Sequence, residues 1–477
     1  MYTTENKMSN LYTSMYNAFQ SNNPEKFNDE FVYARERDDL QLYIDNIARI
    51  LEIIPGISYL GSTITEDETE IWKHLKPEAL SMSESRYNMI NLKFFIKDND
   101  DTADVSFNLL YPKLTDHFFF RLNDSNYTAI YQIVDRAFYT TRNSIVLKAT
   151  SMPLITNFNN KSKFNSTTGK IEKNTCVLKI FKKDINPFFF LLGNFELDEI
   201  MDMLGTEVTD IISIVEGEDA GKINIPITKE INFVIDQEKL AKRPDLDYIV
   251  WTFAEILTGN KKLSETQLDW RKKLGKMFTT NSNAFETKAD GTNRSFIRIM
   301  DGVTKHAMNF ISDHDKQDSF HIMVWIMKNI DTLKNNDNMS LDNKRVRMFE
   351  YMAMPLQYEF NKATVRVINN GRQNTFSGKK RIFSNIKPDL LVKRLLSTNL
   401  HRYNNCTSGL DLFSAAMKWS MRGPQSLAET SDNISEHYRD IHPSYIGALE
   451  IYSNSNSDPG LTGNFVPFMN NTKFFNI

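Results

Sequence analysis

Two groups of acidic and imidazole side chains are the candidates for metal-dependent chemistry in this sequence. The first combines the run 313–315 with His321, but His314 and His321 are seven residues apart and no further His or Cys completes a ligand set. The second is the acidic run 98–104, which lacks the glycine around which the carboxylates of a two-metal site would converge. The sequence also contains neither a glycine-rich phosphate loop nor a nucleophile elbow. We therefore predict no catalytic residue and no metal site in this chain.

Positive charge is concentrated in one part of the chain. Residues 343–402 contain thirteen Lys or Arg and three acids, a balance of +10, although the whole chain carries −3. The remaining residues must therefore carry −13. Such a segregation of charge is typical of a surface that binds phosphate groups. A solvated helix face is the alternative that the sequence leaves open.

The composition is that of a globular protein with large hydrophobic cores. The chain has 477 residues, 41% of them apolar, with 33 Phe and 18 Tyr, which is enough for two or three domains. Cys176 and Cys406 are too few for a disulfide framework or a zinc site, and they suit a reducing compartment. The sequence has neither a secretory signal pattern nor an apolar run of membrane-spanning length. We expect a soluble, cytosolic protein.

The apolar pattern predicts an α+β fold. A helix is expected over 38–54, where apolar residues recur at helical spacing before a Pro-Gly pair. Strands are expected between 92 and 147, so that the first 150 residues form a helix packed on an antiparallel sheet. Residues 157–174, rich in Asn, Ser, Thr and Lys, are expected to be a linker.

Further helices are predicted in the second half of the chain, with basic loops between them. The expected helices cover 196–204, 244–257, 318–330 and 388–400, and the expected loops cover 369–374 and 377–381. We expect two mixed lobes, each combining helices with an antiparallel sheet, followed by a C-terminal segment. The expected divisions are 1–155 for the first lobe, 156–338 for the second lobe, 339–420 for a return to the first lobe, and 421–477 for the C-terminal segment.

Four short motifs follow one another towards the C-terminus. They are Leu341-Asp-Asn-Lys-Arg-Val-Arg347, Asn385-Ile-Lys-Pro388, Met421-Arg-Gly-Pro-Gln-Ser-Leu427 and Tyr438-Arg-Asp-Ile-His-Pro-Ser-Tyr-Ile-Gly447. In this order they resemble the β subunit of multisubunit DNA-dependent RNA polymerases, whose fork runs from a Gly-Pro-Gly-Gly-Leu loop into Arg-Asp-Val-His-Pro. The sequence departs from the family after Gly447. There the family's Glu-Thr-Pro-Glu-Gly is replaced by a loop in which the run 458–460, Asp-Pro-Gly, is the nearest match.

The resemblance implies a particular kind of polymerase subunit. In the family the metal-binding aspartates belong to the β′ subunit, and β chains continue for hundreds of residues beyond the fork, whereas this sequence ends at Ile477. We therefore expect the N-terminal fragment of a split β subunit, as in giant bacteriophages, that positions DNA and the RNA–DNA hybrid. The chain is expected to bind no cofactor and to be inactive alone, with Mg²⁺ held by the partner β′ subunit.

The resemblance also implies partners and contact residues. The expected partners are a C-terminal β fragment, β′ fragments, the DNA template and the RNA transcript, with a promoter-specificity subunit left open and no membrane. The expected location is the cytoplasm of an infected bacterial host, with packaging in the virion left open. Asp440 is expected to be structural, paired with Arg439 or a backbone donor. Nucleic-acid contacts are expected from Asn343, Lys344, Arg345, Arg347, Lys387, Arg402, Lys418, Arg422, Gln425, Arg439 and His442.

A standalone single-stranded nucleic-acid-binding or genome-packaging protein is the competing hypothesis. It would use the same basic segment, with Phe376, Phe383 and Tyr403 stacking on bases. Dependence on partners distinguishes the two hypotheses. A binding protein would be monodisperse and active alone, whereas a β fragment would expose a large apolar surface and need co-expression with its partners.

The segment before the Gly-Pro loop aligns without gaps with the rifamycin pocket of sensitive bacterial β subunits. In that register the pocket's Gln, Phe, Asp, His, Arg and Ser fall on Arg402, Tyr403, Asn405, Ala415, Lys418 and Ser420, respectively. The Asp charge and the imidazole are therefore lost, and Lys lacks the planar fork of Arg. These replacements remove hydrogen-bond partners that the drug needs.

We predict that the assembled enzyme resists rifamycins. Each unmatched hydroxyl costs the ligand roughly 1–3 kcal/mol, and about 1.4 kcal/mol is a factor of ten in affinity. Two or three such losses compound to about a hundredfold or more. Transcription should continue at drug concentrations that stop a sensitive bacterial polymerase assayed in parallel. Equal inhibition of the two enzymes would show that the register is wrong.

Overall fold

The protein is described by a computed structural model that divides into two units. The described residues are 40–74, 85–115, 119–135, 137–149, 153–166, 169–180, 182–217, 219, 221–226, 231–259, 266–300, 304–305, 308, 318–335, 337–369, 375–406, 408–424, 426–427, 434, 436–452 and 458–466. Unit 1 comprises residues 1–135 and 339–477, and unit 2 comprises residues 136–338. Both units combine helices with mainly antiparallel sheets, which confirms the predicted α+β class.

The first described element of unit 1 is the predicted helix near the N-terminus. Helix α1 (residues 40–48) continues as the 3₁₀ helix Arg49–Ile53 and buries its apolar face. Residues 38 and 39, the expected start of this helix, lie outside the described ranges. The chain then turns at Gly56, where φ is +83° and a Cβ atom would lie 2.0 Å from the carbonyl oxygen of Lys97. Both the backbone angle and the close approach require glycine at this turn.

Seven strands and one helix follow in the first part of unit 1. They are β1 (Ile57–Thr65), α2 (Glu68–His74), β2 (Tyr87–Asp98), β3 (Asp101–Pro112), β4 (Leu114–Thr115), β5 (Phe119–Leu122), β6 (Ser125–Ala129) and β7 (Tyr131–Asp135). Strands β1, β2 and β3 form an antiparallel sheet in that order. Ile90, Leu92, Phe94 and Ile96 alternate with more exposed residues along β2, so one face of this sheet packs on the core.

The described residues of unit 2 form two antiparallel sheets and eight α-helices, with 3₁₀ helices at Pro244–Leu246 and Ser282–Ala284. Its strands are β8 (Phe138–Thr140), β9 (Ser144–Leu147), β10 (Leu154–Ser166), β11 (Gly169–Ile180), β12 (Lys183–Ile185), β13 (Ile212–Glu216), β14 (Ile223–Pro226) and β15 (Ile231–Ile235). Its helices are α3 (Phe188–Leu192), α4 (Leu197–Thr209), α5 (Gln237–Lys242), α6 (Asp247–Gly259), α7 (Gln267–Phe278), α8 (Phe285–Ile297), α9 (Ser319–Lys328) and α10 (Ile330–Lys334). The sheet orders are β12-β11-β10-β9-β8 and β13-β15-β14.

The segment predicted as a linker, 157–174, forms most of a β-hairpin instead. Strands β10 and β11 pair from Ile155 opposite Lys179 to Ser166 opposite Gly169. The linker prediction was wrong because it relied on polar composition, whereas backbone hydrogen bonds across a hairpin do not require apolar side chains. The chain first passes from unit 1 to unit 2 between residues 135 and 136. Residue 155, the predicted boundary between the lobes, lies inside β10.

The other predicted elements of unit 2 are observed with shifted ends. The helices predicted over 244–257 and 318–330 correspond to α6 and α9. The helix predicted over 196–204 is interrupted at Gly205, whose φ of 72° and ψ of 165° are not helical, and helical turns resume beyond it to Thr209. The glycine therefore kinks the helix where the sequence indicated an end.

The second part of unit 1 supplies strands to sheets begun by the first part. Its elements are the 3₁₀ helix Leu341–Asn343, β16 (Lys344–Arg347), the 3₁₀ helix Glu350–Ala353, α11 (Met354–Asn369), α12 (Phe376–Ser384), α13 (Leu390–Leu396), β17 (His401–Tyr403), α14 (Gly409–Ala416), β18 (Lys418–Ser420), the 3₁₀ helices Glu436–Tyr438 and Pro443–Tyr445, and β19 (Thr462–Asn464). The two four-stranded sheets have the orders β16-β7-β18-β19 and β17-β6-β5-β4. Strands β7 and β18 are parallel, and the other pairs are antiparallel.

Residues 377–381, predicted as a basic loop, lie in helix α12. Thr375 caps this helix by accepting a hydrogen bond from the backbone of Gly378. Lys379 is buried and its Nζ lies 3.4 Å from Oδ1 of Asp98. The loop prediction was wrong because it assumed that all of these basic side chains face solvent, whereas Lys379 faces inward and pairs with Asp98. Residues 370–374 of the other predicted loop lie outside the described ranges. No helix within the described ranges has the length and apolar character needed to cross a membrane.

Candidate nucleic-acid interface

Strand β16 carries the basic cluster that was predicted to contact nucleic acid, and its side chains lie inside unit 1. Lys344 lies opposite Asp135 of β7, and its Nζ is 2.6 Å from Oδ1 of that residue. Arg345 and Arg347 both form ion pairs with Glu350, and Arg347 is 2% exposed. These three cations therefore have their ionic partners within unit 1. Their contact with nucleic acid stays a prediction, which their burial and internal partners disfavour.

Glu350 is the acid around which two of these cations are arranged. Burial alone would raise the pKa of its carboxyl, but the adjacent charges of Arg345 and Arg347 lower that pKa to about 2. Burial in turn lowers the pKa of the Arg347 guanidinium, against the charge of Glu350, which raises it. Each charge of the group is thus tolerated in the interior because an opposite charge lies beside it.

Arg347 and Gln132 hold the loop around Gly423 and Pro424, here called the Gly-Pro loop, through hydrogen bonds to its backbone carbonyls. Arg347 Nε donates a hydrogen bond of 2.8 Å to Gln132 Oε1, and Arg347 Nη2 donates to the carbonyl of Pro424. The buried Gln132 Nε2 donates to the carbonyls of Arg422 and Pro424 at 3.1 and 3.0 Å. Gly423 has a φ of +111°, and a Cβ atom there would lie 3.3 Å from Gln132 Nε2. Side chains of β7 and β16 therefore set the backbone of this loop.

Asp458 joins the Gly-Pro loop to the Arg-Asp-Ile-His-Pro motif. It is 4% exposed, it accepts a hydrogen bond from Arg422 Nη2, and its Oδ1 lies 3.6 Å from Arg439 Nε. Gly460 N–H donates to the carbonyl of Arg439 at 2.7 Å, and a Cβ atom on Gly460 would lie 2.2 Å from the carbonyl oxygen of Asp440. The expected side-chain pairing of Asp440 with Arg439 is not observed: the ion pair of Arg439 is with Asp458, and Asp440 is exposed.

His442 and Ser444 connect the same motif to the start of the basic segment. The His442 side chain caps the 3₁₀ helix Pro443–Tyr445, since its Nδ1 accepts from the backbone of Ser444 at 3.2 Å. Ser444 Oγ lies 2.8 Å from that Nδ1 and accepts a hydrogen bond of 3.0 Å from the backbone of Leu341. His442 Nδ1 thus acts as an acceptor that orders the motif.

Two predicted contact residues form a different, more accessible group at β17 and β18. Arg402 is exposed and Lys418 is half-buried, and no carboxylate in the described part of the chain forms an ion pair with either. Burial and the charge of Arg402 lower the pKa of Lys418. Tyr403 is 60% exposed, with its ring centroid 4.7 Å from that of Tyr127. We call Arg402, Tyr403 and Lys418 the β17–β18 surface.

Lys387 and Asn343, two further predicted contact residues, lie in other elements of unit 1. Lys387 is exposed beside Pro388, whose carbonyl accepts a hydrogen bond of 2.8 Å from Leu110 N–H and so attaches the Asn-Ile-Lys-Pro motif to β3. Asn343 is half-buried at the end of a 3₁₀ helix. Gln425 lies outside the described residues. Of the aromatic residues considered for base stacking, Phe383 is in the core and Tyr403 is accessible.

Sequence reasoning missed the residues that hold the motifs together. Gln132 and Asp135 lie in a strand with no distinguishing local pattern, roughly 200 to 300 residues before their partners. Glu350 had a weak signal, because it is one of three acids in an otherwise basic segment. Asp458 could have been found from the Asp-Pro-Gly match alone. No group of three or more His, Cys, Asp or Glu in the described residues is arranged to hold a metal ion.

Comparison with known proteins identifies the class of this chain. Residues 8–475 match a family model, and the match makes the chain a subunit of a viral multisubunit RNA polymerase. The chain belongs to the family described as non-virion RNA polymerase subunit. Other subunits of that polymerase are therefore its partners. No curated protein matches the chain.

We predict that Glu350→Gln destabilises unit 1 by roughly 3–5 kcal/mol at neutral pH, because it leaves two arginines without their buried counter-charge. Since the folded-state pKa of Glu350 is depressed to about 2, its contribution is present above its unfolded pKa and lost as the pH falls through about 2. The difference between wild type and variant should therefore shrink on acidification. Urea unfolding at several pH values measures the free energy of unfolding and its pH dependence. Hydrogen exchange in β7 and β16 then shows whether the loss lies at these strands.

Glu359, which is half-buried on helix α11, supplies the control. Glu359→Gln should change the free energy of unfolding by less than about 0.5 kcal/mol. If Glu350→Gln were as mild as this control, the ion pairs around Glu350 would not be holding β16 in place.

Proposed function

We propose that this chain is the N-terminal part of a split β subunit in a phage RNA polymerase and that it positions DNA and the RNA–DNA hybrid. The observation that supports this most is the joining of four distant segments, 132–135, 341–350, 421–427 and 439–460, by buried polar contacts. Three of these segments carry motifs that resemble the β subunit, and two of those motifs, in 421–427 and 439–460, resemble its fork. A fork needs such a fixed backbone because it must keep one geometry while nucleic acid moves past it.

The contribution of this chain to transcription is positioning. Side chains that hold phosphates and stack on bases fix the register of a nucleic acid without making or breaking bonds. The β17–β18 surface has the required chemistry, since it combines an accessible tyrosine with two neighbouring cations that have no acidic partner among the described residues. The predicted cations of β16 support this surface indirectly, through the fold, because their charges are neutralised internally.

The proposed partners are a C-terminal β fragment and β′ fragments, with the DNA template and the transcript bound between the chains. We further propose that the assembled enzyme works in the cytoplasm of an infected bacterium. The family's description as non-virion supports action there over packaging in the virion. Family membership also favours a polymerase subunit over a standalone binding protein.

Assembly from separate subunits predicts that the purified chain alone does not extend a primer in the presence of template, nucleotides and Mg²⁺. Activity should appear when the chains that co-purify with it from infected cells are added back. Omitting this chain from the reconstituted mixture should abolish that activity. Template-directed extension by the chain alone would contradict the split-subunit proposal.

The β17–β18 surface predicts a salt-dependent defect. Replacing Arg402 and Lys418 together by Gln in the assembled polymerase should weaken its complex with template and transcript. The slope of log affinity against log salt should fall by about one unit for each lost phosphate contact. Lys393→Gln is the control, because Lys393 is 63% exposed but already paired with Asp389. Equal slopes for the double variant and wild type would place the nucleic acid elsewhere.

A further inference from the structure

Helices α11 and α12 enclose a surface groove that the proposed function leaves unexplained. The groove has a volume of about 490 Å³. Its lining includes the buried Phe360, Val367 and Ile382, together with Arg366 and Arg381 from the two helices. A cleft with apolar side chains at its base and guanidinium groups in its walls can hold a chain segment by both kinds of contact.

The charges of the groove remain available to a partner. Arg366 and Arg381 are exposed, and no carboxylate of the described residues forms an ion pair with either of them. Two further cations lie on the same helices: Lys362 Nζ is 5.4 Å from the ring centroid of Tyr358, and Lys380 Nζ is 4.2 Å from that of Phe376. The surroundings of the groove are therefore strongly positive, with Glu359 as an acid in its lining.

We propose that this groove docks an acidic, partly apolar segment of another subunit of the same polymerase. The apolar base would take a hydrophobic side chain of that segment, and its carboxylates would pair with Arg366 and Arg381. Such bidentate pairs favour arginine over lysine. Membership of a multisubunit polymerase requires surfaces of this kind, since stable subunit interfaces bury on the order of 1,000 Å² or more.

A polypeptide fits the groove better than a nucleic acid does. A phosphodiester backbone carries a negative charge at every residue and would meet the carboxylate of Glu359 inside the groove. A peptide can place an amide or a basic side chain opposite Glu359 while it pairs its own acids with the two arginines. The apolar base also offers nothing to a phosphate, whereas it buries a leucine or phenylalanine side chain favourably.

Site-specific crosslinking in the assembled polymerase tests this proposal. Asn385 lines the groove and is exposed, so a photoreactive phenylalanine analogue at this position reports its occupant. We expect a crosslink to another polymerase subunit, at a peptide containing Asp or Glu. Arg366→Glu combined with Arg381→Glu should reduce the yield about tenfold, and the milder Arg366→Gln with Arg381→Gln should reduce it less. Lys393→Glu, on α13 and not among the groove-lining residues, should leave the yield unchanged.

Several results would overturn the proposal. They are crosslinking to DNA or RNA, no crosslink in an active enzyme, or a yield insensitive to both arginine variants. Replacing the acids of the crosslinked peptide by Lys should restore the yield with the Glu variants, and failure of this rescue would also count against docking. The outcome is separable from the proposed positioning function, because the salt dependence of nucleic-acid binding is measured at the β17–β18 surface.

Discussion

The buried contact between Arg347 and Glu350 is the constraint on which the rest of this site depends. A guanidinium that is 2% exposed needs several acceptors, and it finds them in Glu350, Gln132 and the carbonyl of Pro424. These acceptors come from three distant parts of the chain, so satisfying one side chain fixes the relative position of all three. Buried ion pairs contribute little net stability, but breaking one is costly, and this asymmetry selects a single arrangement.

A second buried acid, Asp458, connects the Gly-Pro loop to the Arg-Asp-Ile-His-Pro motif. Asp458 links Arg422 and Arg439, and the close approach of Gly460 to the carbonyl of Asp440 leaves no room for a side chain.

Four of the cations that make the segment 343–402 strongly basic, Lys344, Arg345, Arg347 and Lys379, form ion pairs inside unit 1. The accessible positive charges lie instead on the β17–β18 surface and on helices α11–α13. A count of charges along a sequence cannot make this distinction, because it does not show which charges face inward.

Local pattern was sufficient for the α+β class and for helices such as α1, α6 and α9, since their apolar spacing is itself the physical cause of their burial. The hairpin β10–β11 and helix α12 could not be predicted this way, because pairing across a turn and an inward-facing Lys379 override a polar composition. The motifs indicated which segments matter. The residues that join them, Gln132 above all, act through contacts across roughly 290 residues of sequence.

Buried side chains of β7 and β16 hold the Gly-Pro loop in one conformation. The direct test is hydrogen exchange of the Gly423 and Leu427 amides, which donate within this loop, in a Gln132→Met variant. The variant keeps the volume of Gln132 but loses its hydrogen bonds to the loop carbonyls. We expect at least about tenfold faster exchange at these two amides, with protection in β2 unchanged. Wild-type exchange at Gly423 and Leu427 in the folded variant would contradict it.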